Sequence, residues 1–478
     1  MHSAQRALIG LTMTLTPALR DLYAQRRLHL AQQLGPGGIA LVPTAPSYAR
    51  NRDSEFPYRH DSYFYYLCGF TEPDAWLLIT ADGETTLLCQ PKDLEREIWD
   101  GYRLGPDAAP AALGVQQAWS SQDIEQRLPR LLENRQTVWY PFATHQGLPQ
   151  RLDGWLSKVR ARVRFGVQCP SQQRDLCGLL DEMRLVKDDH ELALMRRAAR
   201  ISADAHVRAM QVCARRLRAG ETVREYHLDA ELLHEFRTHG SQFPAYGSIV
   251  AAGANACVLH YRADAAEIRD GELVLIDAGC ELDGYASDIT RTFPANGRFT
   301  AAQRDLYDLV LASQTAAVQA TRAGARFTDP HDATVRVLAQ GLLDLGLLQS
   351  NVHGTLDDVI EQRHYFRFYM HRTGHWLGMD VHDCGSYVEP GEAARGTSRR
   401  DPLSGETIND RPSRILRPGM VTTIEPGLYV RAADDVPQAF WNLGIRIEDD
   451  AVITPQGCEL ITRDVPVDPV AIEALMQA

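Results

Sequence analysis

No apolar stretch in the 478 residues is long enough to span a bilayer, which excludes an integral membrane protein. Positive charge is in deficit as well. The 50 Lys and Arg against 62 Asp and Glu leave a net charge of −12, opposite in sign to the footprint that nucleic-acid binding requires. Arg196, Arg197 and Arg200, and then Arg215, Arg216 and Arg218, fall on helix-like segments and read as solvated faces. The 9 cysteines are scattered without CxxC spacing, which argues against a disulfide framework and for a reducing, cytoplasmic compartment. Residues 6–15 resemble a secretion signal only faintly: Thr12 and Thr14 interrupt the apolar run, and no small-residue cleavage site follows. The glycines at 35–38 lack the GxGxxG spacing of a dinucleotide loop and precede a strand, so they read as a turn. No Gly-x-Ser-x-Gly elbow supports serine hydrolase chemistry.

With 44% hydrophobic and 23% charged residues, the composition is that of an ordinary globular chain with room for two or three domains. A helical stretch over about 16–34 is followed by short apolar runs at 39–42, 63–70, 76–79, 86–89 and 138–140. Polar or helix-like stretches separate these runs, giving a modest α/β domain over 1–181. A boundary near 182–187 opens a larger α/β (α+β) domain, 182–478. Asp188 with Glu191 forms a capping box for a long helix, and further helices are expected from about Thr222, from Thr300 with Gln303, and from Asp329 with Pro330. Strand-like runs lie at 273–280, 285–293, 420–424 and 444–453, and acidic residues stand within them or at their ends. The stretch 388–413, rich in Gly, Pro, Ser, Arg and Glu, reads as a long surface loop.

Acidic residues inside apolar strands are costly unless exposed or paired with cations. Leu273 to Ile276 form an unbroken apolar run that ends in Asp277. If Asp283 and Gly284 are the two turn residues, Asp277 pairs with Thr290, and Asp288 lies diagonally from Asp277 on the same face. Two more apolar runs end in carboxylates, Ile424-Glu425 and Ile447-Glu448, the latter with Arg446 on the same face. Between the strand pairs lies a histidine-rich block, 371–383, with His371, His375 and His382. Taken singly, each feature has a structural reading at least as good: a turn cap, a core histidine, an Arg446–Glu448 ion pair. Together, four carboxylates and a glycine-flanked imidazole suit two divalent ions of the Mn, Co or Zn kind, whose charge the carboxylates balance. A zincin reading of His371 and His375 fails, because Arg372 stands where the essential Glu belongs and Gly374 weakens a helix.

These segments resemble the creatinase/methionine-aminopeptidase ("pita-bread") superfamily, and within it the aminopeptidase P and prolidase branch. The 371–383 block is the most specific element. Asn255-Ala256-Cys257-Val258-Leu259-His260-Tyr261 resembles the family's substrate-histidine segment. Glu55-Phe56-Pro57-Tyr58-Arg59 and Gly69-Phe70-Thr71-Glu72-Pro73 resemble its N-terminal domain. The resemblance implies a creatinase-like N-terminal domain followed by a pita-bread catalytic domain. It also implies a metal-dependent aminopeptidase that releases the first residue from Xaa-Pro peptides, by attack of a hydroxide bridging two ions, Mn foremost with Co or Zn as alternatives. The implied metal ligands are Asp277, Asp288, His375, Glu425 and Glu448, with Glu425 also the general base. His260 and His382 would stabilise the scissile carbonyl and pass a proton to the proline nitrogen. His371 would line the proline pocket, Tyr246 and Tyr429 the site wall, and Arg446 and Thr290 would support the ligands. Trp99 resembles a residue lent to a neighbouring subunit, so a homo-oligomer (dimer or tetramer) is expected. The alternatives are an Xaa-Pro dipeptidase and a non-catalytic peptide-binding module. The 388–413 stretch is longer than the family's usual connection, which leaves peptide-length preference open.

Overall fold

The computed structural model describes residues 15–262 and 265–477, and the chain divides after Met183 into two compact α/β units. Residues 6–14 of the signal-like segment lie outside the described residues. No helix among the described residues is long and apolar enough to cross a membrane.

The N-terminal unit is built on a six-stranded mixed sheet in the order Gln117–Ser120, Thr85–Cys89, Trp76–Thr80, Gly38–Pro43, Thr137–Tyr140, Gln172–Asp175. Thr16 caps the Pro17–Gln33 helix, and the glycine turn after it leads into the Gly38–Pro43 strand. Leu41, Leu78 and Val138 pack against Leu128, Leu132, Leu152 and Trp155 from the helices Ile124–Leu132 and Leu148–Arg160. Each such side chain contributes roughly 1.5–3 kcal/mol on full burial. The run at 63–70 departs from the other apolar runs of this half, which are strands. It folds as the helix Ser62–Cys68, because Asp61 accepts the Phe64 N–H at its start and Gly69, in the left-handed conformation, ends it. An apolar run without periodicity does not distinguish a buried strand from a buried helix; its flanks do.

In the C-terminal unit the capping signals act where the sequence puts them. Asp188 and Glu191 open Asp189–Arg218, and Thr300 and Gln303 open Ala301–Ala320. Asp189–Arg218 packs on Glu225–Thr238, and Ala301–Ala320 on Asp329–Asp344. Their apolar faces share one core with the strands through Met210, Phe236, Val274, Ile276, Phe293, Tyr307 and Ile445. Leu273–Asp277 is the central strand of an antiparallel sheet, between Thr290–Pro294 and Ile249–Ala252. Asp283 and Gly284 both have positive φ at the hairpin turn, and Asp277 pairs with Thr290, the register such a turn sets.

Three runs that read as single strands are each broken in two beside an acidic residue. Leu273–Asp277 is followed by Cys280–Leu282, Tyr285–Ala286 by Thr290–Pro294, and Leu443–Arg446 by Asp449–Ile453. At the first break a Cβ on Gly279 would lie 1.7 Å from the Ser287 carbonyl oxygen, so the two segments cross closely only because residue 279 is glycine. The 388–413 stretch is not irregular throughout. It carries a hairpin, Thr397–Arg400 with Thr407–Asp410, closed at its base by Val388 and Ser413 and fastened where Arg363 meets Asp401 at 2.8 Å. The Thr397–Arg400 strand is exposed, so no apolar alternation announces it.

Candidate metal centre

Four strand ends and one loop converge. Asp277 closes the central strand, Asp288 precedes Thr290–Pro294, Glu425 follows Val421–Ile424, and Glu448 sits between Leu443–Arg446 and Asp449–Ile453. Backbone bonds from Glu448 N–H to Thr290 O (3.0 Å) and from Ile447 N–H to Pro426 O (3.2 Å) draw these ends together. The loop carrying His375 is laced to the Val421–Ile424 strand. Thr423 N–H donates to His375 O (3.0 Å), Glu425 N–H donates to Thr373 O (2.8 Å), and His375 N–H donates to Thr423 Oγ1 (3.1 Å). A Cβ on Gly374 would lie 2.1 Å from the Thr423 carbonyl oxygen, so only glycine permits this approach.

One ligand atom each of Asp288, His375 and Glu448 lies within 4.8 Å of the others. His375 Nδ1–H donates to the Trp376 carbonyl (3.0 Å), which leaves Nε2 facing Asp288 at 3.5 Å and Glu425 at 3.8 Å. Asp277 is tied to Asp288 through the Tyr246 hydroxyl, which contacts both carboxyls. Arg446 spans the other side, reaching Asp277 Oδ2 at 2.6 Å, Thr290 Oγ1 at 3.1 Å and the Tyr429 hydroxyl at 2.8 Å. The Thr290 hydroxyl donates to Glu448 (2.6 Å). His371 faces the Tyr429 hydroxyl at 2.9 Å and Glu425 at 3.8 Å. His382 stacks edge-on with His375, their ring centroids 4.3 Å apart. His260 is exposed but close enough for its charge to depress the basicity of both His371 and His382. Trp99 stands 83% exposed on the Leu94–Asp100 helix of the N-terminal unit.

The electrostatics ask for a cation. Burial, reinforced by the other carboxylates, pushes Glu448 well above the ordinary carboxylate range. Glu425 is pushed up to about 7 by burial, opposed by His375 and Arg446 and reinforced by Asp288 and Asp277. Burial also raises Asp277, against the pull of Arg446. Burial lowers His375, but the bond to Asp288 and the charge of Glu425 outweigh it and hold the imidazole at about 9. One phenolic proton serves both Asp277 and Asp288, which leaves this carboxylate pair short of positive charge. Oxygen donors and one imidazole around such a deficit fit divalent transition ions.

Several contributors were not read from the sequence. Arg291, fully buried, donates to Thr290 O (3.0 Å), Glu448 O (2.6 Å) and Asp449 Oδ1 (2.8 Å), pinning two ligand-bearing strands together. Asp450 accepts the Asp288 N–H at 3.1 Å. Asp383, beside His382, is clasped inside the unit by Arg184 (2.6 Å) and Lys187 (2.9 Å). The available signal was a run of three acids, 448–450, in an apolar strand, which needs buried cations and donors to balance it.

Residues 193–455 match the profile of metallopeptidase family M24, and residues 23–139 that of the aminopeptidase P N-terminal domain. The chain belongs to metallopeptidase family M24. M24 membership makes it a divalent-metal hydrolase of peptide bonds, with the family's N-terminal domain preceding a pita-bread domain. It is 43% identical to the Xaa-Pro aminopeptidase of Escherichia coli K12 over 463 residues, 96% of this chain and 98% of that protein. Among solved structures, the aminopeptidase PepP of Pseudomonas aeruginosa matches with a TM-score of 0.88 at 45% identity, covering 98% of this chain and 99% of that one. Zinc-substituted aminopeptidase P of Escherichia coli in complex with product matches with a TM-score of 0.87 at 42% identity, covering 96% and 98%.

Proposed function

We propose that this M24 enzyme is an Xaa-Pro aminopeptidase, which removes the first residue from peptides with proline in second position. Two divalent ions would be held by Asp277, Asp288, His375, Glu425 and Glu448. The observation that carries this reading is the meeting of Asp288, His375 and Glu448 ligand atoms within 4.8 Å, with Asp277 and Glu425 tied to the same group. The relatives named Xaa-Pro aminopeptidase supply the substrate class.

The bond before proline is a tertiary amide with no N–H to recognise, and its leaving nitrogen must acquire a proton. Bound divalent ions supply Lewis acidity at the scissile carbonyl and acidify water at neutral pH. Glu425 takes the proton of the attacking water. His382 and His260 hydrogen-bond the carbonyl oxygen as it gains charge and relay a proton to the proline nitrogen. His371, neutral because burial and Arg446 hold it near 3, offers an uncharged ring to the proline. Arg446 and Thr290 fix Asp277 and Glu448, while Tyr246 and Tyr429 wall the site. Trp99 completes a neighbouring subunit's site in a dimer or tetramer, the physiological ion is Mn with Co or Zn as substitutes, and the enzyme is cytoplasmic. We take the N-terminal domain as 1–181 and the catalytic domain as 182–478, within two residues of the division after Met183.

The test is release of the first residue from an Xaa-Pro-Xaa tripeptide before chelation, after it, and after return of Mn, Co or Zn. Activity lost on chelation and restored by metal is expected. Hydrolysis confined to Xaa-Pro dipeptides would mark a dipeptidase, and hydrolysis surviving complete chelation would end the reading.

A further inference from the structure

His260 sits on an excursion of the chain that leaves the sheet after Ile249–Ala252 and rejoins a strand pair at Glu267–Ile268. Its imidazole makes no hydrogen bond among the described residues, so the backbone on either side sets where it points. One carboxylate governs that backbone. Glu225, fully buried at the start of the Glu225–Thr238 helix, accepts four hydrogen bonds from the excursion. Oε1 takes the Ala252 N–H (2.9 Å) and Asn255 Nδ2–H (3.0 Å). Oε2 takes the Tyr261 hydroxyl (3.0 Å) and the Ala266 N–H (3.0 Å). The first and last of these donors are the two ends of the excursion, and Tyr261 is the immediate neighbour of His260. Asn255 also donates to the Tyr261 oxygen (3.0 Å), and the Glu225 N–H donates to Ala266 O (3.1 Å), so the clasp is closed on itself.

We propose that Glu225, through Tyr261, is the positioning residue that fixes where the His260 imidazole is presented. A carboxylate has room for four acceptor contacts, and all four here go to the segment that carries one functional side chain. The inference rests on the role given to His260 above, and the experiment separates the two.

The variants are Tyr261→Phe, which removes one hydroxyl from the clasp, Glu225→Gln, which puts donors against donors, His260→Ala, and the two double variants. Each is assayed on the metal-loaded enzyme with an Xaa-Pro-Xaa tripeptide, alongside metal content and melting temperature. Tyr261→Phe is expected to lower kcat by roughly 10- to 100-fold, the upper end being the scale of a group misplaced by about 1 Å, with bound metal unchanged. In the His260→Ala background the same substitution should change kcat less than about twofold, since the group it positions is gone. Equal loss in both backgrounds would overturn the inference in favour of a purely structural clasp, as would an unchanged kcat in Tyr261→Phe. An unchanged kcat in His260→Ala alone would overturn the role of His260 itself. If Glu225→Gln does not fold, the Tyr261→Phe pair of measurements still decides.

Discussion

Replacing the proposed base should stabilise the protein once its metal is removed. In the folded chain Glu425 keeps its proton up to about 7, against an ordinary value of 4.5. Between these values the folded state holds a proton that the unfolded state has released, so the stripped protein loses stability as pH rises from about 4.5 to 7. A displacement of about 2.5 units at 1.36 kcal/mol each is on the order of 3 kcal/mol, an upper figure because the site relaxes. Glutamine has the shape of the protonated acid and cannot ionise. Stripped Glu425→Gln should therefore match stripped wild type at pH 5 and exceed it at pH 8 by up to about 3 kcal/mol, or about 5 °C in melting temperature for a unit of this size. With metal restored the order should reverse, and turnover should fall by orders of magnitude. The assay is thermal unfolding after exhaustive chelation, at several pH values. A stripped variant no more stable than wild type at pH 8, or a difference that does not grow from pH 5 to 8, would refute the buried-anion argument.

Metal titrated into the stripped enzyme at pH 8 should release protons, because His375, held at about 9, must give one up to ligate; calorimetry in buffers of different ionisation enthalpy would reveal it, and zero net release would contradict it. Asp288→Ala should lose at least one ion per chain by elemental analysis, and two ions retained would contradict its role as a ligand. Gly374→Ala should force the His375 loop off the Thr423 carbonyl, 2.1 Å from the new Cβ, and weaken metal affinity by roughly 10- to 100-fold; unaltered affinity in a metal titration would show that the loop is free to shift. Asp449→Ala leaves the fully buried Arg291 without its carboxylate and should cost about 3–5 kcal/mol in denaturant unfolding.

Much of this centre was legible because its residues break local rules. Asp277, Glu425 and Glu448 each interrupt an apolar run, and a carboxylate there demands a cation or hydrogen-bond donors whatever the fold. The Asp283-Gly284 turn has one favoured geometry, so it set the pairing of Asp277 with Thr290. Capping boxes at Asp188 and Thr300 were readable for the same reason: their bonds lie within one helical turn. The helix at Ser62–Cys68 and the hairpin around residues 397–410 were not legible, one lacking periodicity and the other lacking a buried face.

Sequence alone thus determined which side chains could not remain uncompensated, because desolvation of a carboxylate in an apolar run is a local cost. Tertiary structure decided what compensates them. That Arg446 reaches back 169 residues to Asp277, that Arg291 reaches Glu448 O, and that Glu225 clasps both ends of the His260 segment are contacts between distant parts of the chain. Such contacts exist only once the core has packed, and no spacing along the chain encodes them.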